Sequence, residues 1–329
     1  MSLRYQREKD GKNMRKIIID TDCGSDDAVA LMLALNDENL DIKGITTVCG
    51  NVDVFKATLN TLMTLEVCKK NIPVYRGCEK PLFKELITAD SVHGEDGMGD
   101  MNLIHPSNTC EKEHGVDKLI EIIEENPNEI EIITLGPLTN IAMAFMKRPD
   151  IKSKIKHIYS MATAGFGVGN TTPVSEFNVY VDAEAFDLVL SSKVPITIIG
   201  YDMCTGEAAL NEKEVEALKS CNSEMAQFAY NCCRLLLEYN IKRNGGFFLD
   251  LPDPIAMAVA LWPEIVMEAP SCYCYTCTKE EMLYGQVVPY IKDELTIKSR
   301  FDYEAENAVV IKKINTKLLK EKMMNVLLS

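Results

Sequence analysis

KIIIDTDCGSDDAVALMLAL, Lys16 to Leu35, contains the reading on which the fold turns. Ile17–Asp20 is a short apolar run of strand type, and Asp26–Leu35 is an apolar run of helical length. Between them Gly24 supplies a turn, and four aspartates, Asp20, Asp22, Asp26 and Asp27, fall within eight residues. Asp20 and Asp22 are two apart, so in an extended strand they point the same way. An acidic first helical turn suits the positive end of the helix dipole, with Ser25 or Asp26 opening the helix. That accounts for one or two aspartates. Four crowded carboxylates repel and raise one another's pKa, and a hard divalent cation relieves the repulsion. An all-carboxylate donor set favours Ca²⁺ or Mg²⁺ over zinc.

The same strand-then-helix pattern repeats along the chain. Strands are expected at Ile42–Val48, Ile72–Tyr75, Ile130–Leu135, Ile155–Met161 and Val194–Ile199. Helices are expected at Val54–Cys68, Val116–Glu125, Leu138–Met146, Ala183–Leu190, Glu212–Lys219, Glu224–Ile241 and Pro254–Leu261. Strands or hairpins over Ile265–Ile311 and a closing helix at Asn315–Leu328 complete the pattern. This alternation predicts an α/β protein with an open, mostly parallel, Rossmann-like sheet covered by helices on both faces. Ligands then bind beyond the carboxyl ends of the strands. No linker or repeat divides the 329 residues, so residues 1–14 read as a flexible leader and 15–329 as one catalytic domain.

A net charge of −14 argues against a nucleic-acid partner. The absence of a long apolar run or a signal-like start argues against a membrane partner and for the cytoplasm. Cys272, Cys274 and Cys277 form C-x-C-x-x-C, a possible zinc or redox pattern. It lacks a fourth ligand at usual spacing, and SCYCYTC alternates like a strand, which favours free thiols.

Two further segments bear on the aspartates. In ITLGPLTN, Ile133 to Asn140, Gly136-Pro137 leaves the Leu135 carbonyl free at a strand end, although a plain strand-to-helix turn also explains it. In LPDPIAMA, Leu251 to Ala258, Asp253 reads as a helix N-cap with Pro254 at the first helical position.

Taken together, the motifs resemble the inosine–uridine-preferring nucleoside hydrolase family. DTDCGSDDA resembles its D-x-D-x-G-x-D-D-A signature, with Cys23 where Pro or Asn is usual. TTVCGN (46–51), HGEDGMG (93–99), LGPLTNIAMA (135–144), GNTTPVSEFNVYVDAEA (169–185) and LPDP follow in the family's order. The resemblance implies Ca²⁺-dependent hydrolysis of the N-glycosidic bond of a small-molecule ribonucleoside, in a homodimer or homotetramer. It implies Ca²⁺ ligands at Asp22, Asp27, the Leu135 carbonyl and Asp253, with Asp22 as general base. Asp26, Asn51 and Asn178 would hold ribose hydroxyls or orient the water. Asn170 and Glu176 would take the 5′ side, and Met161 and Asp253 would complete the substrate contacts.

The chain departs from the family at Pro252. Many members carry there a histidine thought to protonate the leaving base, and proline cannot donate a proton. His93, Tyr230, Tyr239, Lys242 and Arg243 are candidate donors by sequence neighbourhood, and Phe247 or Phe248 could stack on the base. Trp262 and the two tyrosines also suit core packing. A nucleoside- or ribose-binding protein of the same fold, without hydrolysis, is the alternative that Pro252 supports. A phosphoryl transferase of the haloacid-dehalogenase type would share a D-x-D at the first strand, but leaves the second aspartate pair, LGPLTN and GNTTPVSEFN unexplained.

Overall fold

The computed structural model describes residues 14–291 and 305–329. The leader expected over residues 1–14 therefore lies, but for Met14, outside the described residues. So does part of the expected C-terminal strand region.

Six parallel strands form the centre of the sheet: β1 (Arg15–Thr21), β2 (Leu40–Thr47), β3 (Val74–Arg76), β4 (Ile130–Thr134), β5 (His157–Met161) and β6 (Ile196–Ile199). A short outer pair joins β7 (Val266–Glu268) to β11 (Lys313–Ile314). β8 (Ser271–Thr276), β9 (Val287–Tyr290) and β10 (Ala308–Val310) extend the main sheet, whose order is β3-β2-β1-β4-β5-β6-β10-β8-β9. β10 runs parallel to β6, and β8 and β9 are antiparallel additions. The order therefore reverses direction between β1 and β4. At such a switch point the two flanking connections leave to opposite faces and open a crevice beyond the strand ends.

The strands are apolar on both faces because both faces are covered. Ile17 and Ile19 point into one buried cluster and Ile18 into the other. Helix Ser25–Leu35 is buried along its whole length, as is Asp253–Leu261 within helix Pro252–Leu261, against which it packs. Neither needs an amphipathic pattern, since a helix surrounded by protein is apolar all round.

Three local expectations change. The helix expected over Glu224–Ile241 is two helices, Glu224–Cys232 and Arg234–Asn244, separated at Cys233 (φ −85°, ψ 6°). The Cys232 and Cys233 thiols both approach the Ser25 carbonyl, at 3.5 Å each. On the second helix Leu236, Tyr239, Asn240 and Arg243 share one face by their i, i+3, i+4, i+7 spacing. Asp253 is not the N-cap of its helix: Leu251 is, and Pro252 already lies in the first turn. The Asp253 carboxyl is turned instead toward the aspartates of the first motif. Finally, the cysteines of SCYCYTC are free and lie on and just after β8, with Cys272 and Cys274 buried. Trp262 caps the preceding helix, half-buried under the Lys322 ammonium.

Candidate active site

The crevice at the β1/β4 switch point holds the carboxylates. Asp20 is the penultimate residue of β1. One of its oxygens accepts from the Thr46 hydroxyl and from Asn140 Nδ2 at 2.7 Å, while Oδ2 is buried without a partner. It sits behind the others, and burial pushes it up to about 6. Asp22 is fully buried. Its Oδ2 accepts the Asn51 N–H at 2.7 Å, and its Oδ1 has no hydrogen-bond partner. Gly50 and Gly136 leave room for this carboxylate: a Cβ on Gly136 would lie 2.6 Å from Oδ1, and one on Gly50 would overlap Oδ2.

Asp27 Oδ2 accepts from the Gly24 N–H at 2.9 Å and from Asn51 Nδ2 at 3.0 Å, and its Oδ1 from the Thr21 hydroxyl at 2.5 Å. Asp26, Asp27 and Asp253 bring carboxylate oxygens within 4.8 Å of one another. The sequence places these in two segments more than 200 residues apart, and the packing of helix Ser25–Leu35 on helix Pro252–Leu261 unites them. Burial, then mutual repulsion, raises the pKa of Asp22, Asp27 and Asp253, and burial pushes Asp26 up to about 6. Among the described residues their only ion-pair partner is His93, whose Nδ1 lies 3.8 Å from Asp26 Oδ1. Burial lowers His93 to about 4, so it is neutral at pH 7 and neutralises nothing.

This donor set fits a hard divalent cation. It is rich in oxygen, short of compensating positive charge, and contains the unpartnered Asp22 Oδ1. The Leu135 carbonyl lies at the end of β4 beside Gly136 and accepts from Asn178 Nδ2 at 2.6 Å, with a second lone pair remaining.

Above the carboxylates a cavity opens. Its walls include Asp26, Asn51, Leu135, Met161, Asn178 and Asp253, together with Asn170 and Glu176. Glu176 caps helix Phe177–Val181, accepting from the N–H groups of Asn178 (2.8 Å), Val179 (3.2 Å) and Thr163 (3.1 Å). Burial still brings it up to about 7. Asn170 Oδ1 accepts the Phe177 N–H at 2.9 Å, so the GNTTPVSEFN loop is closed on itself. Thr163 holds its contact to Glu176 at φ +74°, an uncommon conformation for a β-branched residue.

Of the candidate leaving-group contacts, His93, Tyr239 and Arg243 line the cavity. His93 stands at its acidic end, with Nδ1 2.6 Å from the Ser25 hydroxyl. Tyr230 and Phe247 do not reach the cavity; both pack half-buried against the core. Tyr230 precedes the break at Cys233, and Phe247 follows the left-handed turn at Gly245 (φ +67°). Lys242 and Phe248 are exposed outside it. Sequence reasoning missed Tyr201, Asn240 and Asp250, which do line it. Two signals pointed there: Tyr201 follows the carboxyl end of β6, and Asp250 stands two residues before Pro252.

A carboxylate-lined crevice at the switch point of a parallel sheet defines a metal-assisted α/β enzyme site. Residues 17–321 match the family described as inosine-uridine preferring nucleoside hydrolase. The chain is 37% identical over 276 residues to the pyrimidine-specific ribonucleoside hydrolase RihA of Shewanella baltica, covering 83% of this chain and 86% of that protein. It is 35% identical over 252 residues to uridine nucleosidase 1 of Arabidopsis thaliana, covering 76% and 75%. Among solved structures, the plant nucleoside hydrolase PpNRh1 superposes with a TM-score of 0.89 at 28% identity over 96% of this chain and 99% of that one. A purine-preferring ribonucleoside hydrolase from Gardnerella vaginalis superposes with a TM-score of 0.84 at 25% identity, covering 95% and 98%. The chain belongs to the inosine-uridine preferring nucleoside hydrolase family and is an enzyme of that class.

Proposed function

We propose that the protein hydrolyses the N-glycosidic bond of ribonucleosides to ribose and free base, with Ca²⁺ held by Asp22, Asp27, the Leu135 carbonyl and Asp253. The observation that carries this reading is the buried, uncompensated carboxylate cluster with the unpartnered Asp22 Oδ1 under a cavity lined by short amides and acids. When bound, the ion supplies positive charge that offsets the carboxylates and acidifies a water in the crevice.

The remaining work falls to side chains. Asp22 Oδ1 accepts the proton of the attacking water, while the Asn51 N–H fixes Oδ2 and so the orientation of the carboxylate. Asn51 Nδ2 ties the same loop to Asp27. In this reading Asp26, Asn51 and Asn178 hold the 2′- and 3′-hydroxyls or orient the water, and Asn170 and Glu176 take the 5′ side, with Met161 as a further substrate contact; all of them line the cavity. As the C1′–N bond lengthens, the sugar becomes an oxocarbenium-like cation. The surrounding carboxylates favour that positive charge more than they favour neutral ribose. The homo-oligomer and the cytoplasmic location implied by the sequence belong to the same reading.

The test is release of ribose from a panel of purine, pyrimidine and nicotinamide ribosides, with Ca²⁺ and after chelation. Turnover is expected with Ca²⁺ and is expected to collapse on chelation. Asp22→Ala should lose roughly 10²–10⁴-fold in kcat or more and weaken Ca²⁺ binding; near-wild-type turnover would remove Asp22 as the base. Tight nucleoside binding with no ribose released from any riboside would instead establish the binding-protein reading that Pro252 favours.

A further inference from the structure

Pro252 lines the cavity beside Asp253 and can donate no proton, yet a purine or pyrimidine departs poorly as an anion. The same wall carries a hydroxyl that can. Tyr201, buried just past β6, has its hydroxyl between two charged groups. It accepts from Arg243 Nη1 at 2.9 Å and donates to Asp250 Oδ2 at 3.4 Å. The guanidinium also lies over the ring, with its carbon 5.4 Å from the ring centroid. From these contacts, and resting on the hydrolase reading above, we infer that the Tyr201 hydroxyl is the proton donor to the departing base.

The arrangement is built, not incidental. The Tyr201 N–H is held by the Thr163 carbonyl at 2.9 Å, and the Thr163 N–H is bonded to Glu176, so the phenol is tied to the ribose-side loop. Asp250 is fixed by the paired Leu210–Leu249 backbone bonds, 2.9 and 3.0 Å, immediately before it. In the same wall, Asn240 is 2% exposed and its Nδ2 has no hydrogen-bond partner. A buried amide donor left unpaired costs free energy unless a ligand accepts from it, which marks this face as one that meets an acceptor-bearing base. Two other titratable rings line the cavity, Tyr239 and His93; the His93 Nδ1 is engaged with Ser25 beside Asp26, among the carboxylates.

The step balances without a further reactant. The C1′–N bond breaks and its electron pair goes to the base nitrogen. The phenol O–H breaks, and its proton forms the new N–H. The phenolate that remains is held by the Arg243 guanidinium. It is reprotonated from solvent, which receives the proton that Asp22 took from water. The long 3.4 Å bond to Asp250 orients the hydroxyl in the resting state and is weak enough to be exchanged for a bond to the base.

The experiment is Tyr201→Phe, which removes one oxygen, assayed on inosine and uridine and on 4-nitrophenyl riboside. The last has a leaving group that departs as a stable anion and needs no acid. The expected result is a loss of roughly 10²–10⁴-fold in kcat on the nucleosides and a loss at least tenfold smaller on the nitrophenyl riboside. Equal losses on both, with unchanged thermal stability, would show that Tyr201 only shapes the cavity and would overturn the assignment. No loss on either would overturn it as well. Tyr239→Phe, run beside it, overturns the assignment if the selective loss appears there instead. If the wild-type protein cleaves none of the three substrates, the hydrolase reading itself fails. That failure is read from the wild type alone, before any variant.

Discussion

Replacing Asp253 by Asn isolates the electrostatics on which the metal reading depends. Asn matches Asp in shape, so the substitution removes a charge and little else. In the wild type, Asp253 shares a buried space with Asp26 and Asp27, their oxygens within 4.8 Å. At an effective dielectric of about 20, each like-charge pair at that separation costs about 3 kcal/mol. Burial first, and for Asp27 and Asp253 repulsion as well, raises these pKa values, so the metal-free folded protein keeps protons that the unfolded chain releases. The sign follows from that direction. Well below pH 4 folded and unfolded chains are both protonated and the cluster costs nothing. As pH rises past the unfolded value, the unfolded chain releases protons that the folded one retains, so stability falls until the folded values are passed. Asp253 carries the repulsion of Asp27, Asp26 and Asp22 on top of its burial, and one such pair, at about 3 kcal/mol, sets the scale of what its substitution relieves. In EDTA at pH 8, Asp253→Asn should therefore be more stable than wild type by about 3 kcal/mol, a Tm gain of about 4 °C, and the gain should shrink toward zero near pH 4. With saturating Ca²⁺ the order should reverse, because the wild type gains binding free energy and the variant has lost a ligand. Urea or thermal unfolding across that pH range, in EDTA and in Ca²⁺, measures both. A variant less stable than wild type in EDTA at pH 8, or a wild type that Ca²⁺ does not stabilise, would refute the reasoning.

Two other substitutions probe the surroundings. Gly136→Ala should leave the fold intact but displace the Asp22 carboxylate, since the added methyl would lie 2.6 Å from Oδ1; kcat and Ca²⁺ affinity should both fall, checked by turnover and calorimetry. Pro252→His should raise turnover on inosine and restore part of the activity lost in Tyr201→Phe. No change in either background would mean that the base lies away from position 252.

The sheet was legible because its signals are local. Each central strand is a short apolar run ending in a turn, and burial on both faces makes alternation unnecessary. The carboxylate cluster was legible in type, since four acids at a strand end ask for a cation. Its geometry was not, because Asp253 enters through helix packing and not through spacing. Asp253 looked like a cap in sequence, as aspartates before Pro often are; the structure begins that helix earlier and uses the carboxyl elsewhere. The break at Cys233 was equally hidden. Glu224–Asn244 carries no Gly or Pro, and the tertiary contacts at the interruption, two thiols meeting the Ser25 carbonyl, are invisible in the sequence.

The second of these helices, Arg234–Asn244, supplies much of the cavity wall. Leu236, Tyr239, Asn240 and Arg243 line the cavity, and Tyr230 packs against the core. The cavity thus brings together two unlike sets of groups. Its floor is an acidic cluster that draws in positive charge, suited to accepting a proton and to an electron-poor sugar. Another part of its lining joins a guanidinium, a phenol, an unpaired amide and the Asp250 carboxylate that orients the phenol, suited to the electron-rich base. Hydrolysis of an N-glycosidic bond needs that polarity, because the sugar becomes cationic while the base becomes anionic. Substitutions on the floor should therefore act alike on every riboside, whereas those on the wall should act in proportion to how poorly the base leaves. That contrast separates the two sets without requiring that the preferred base be known.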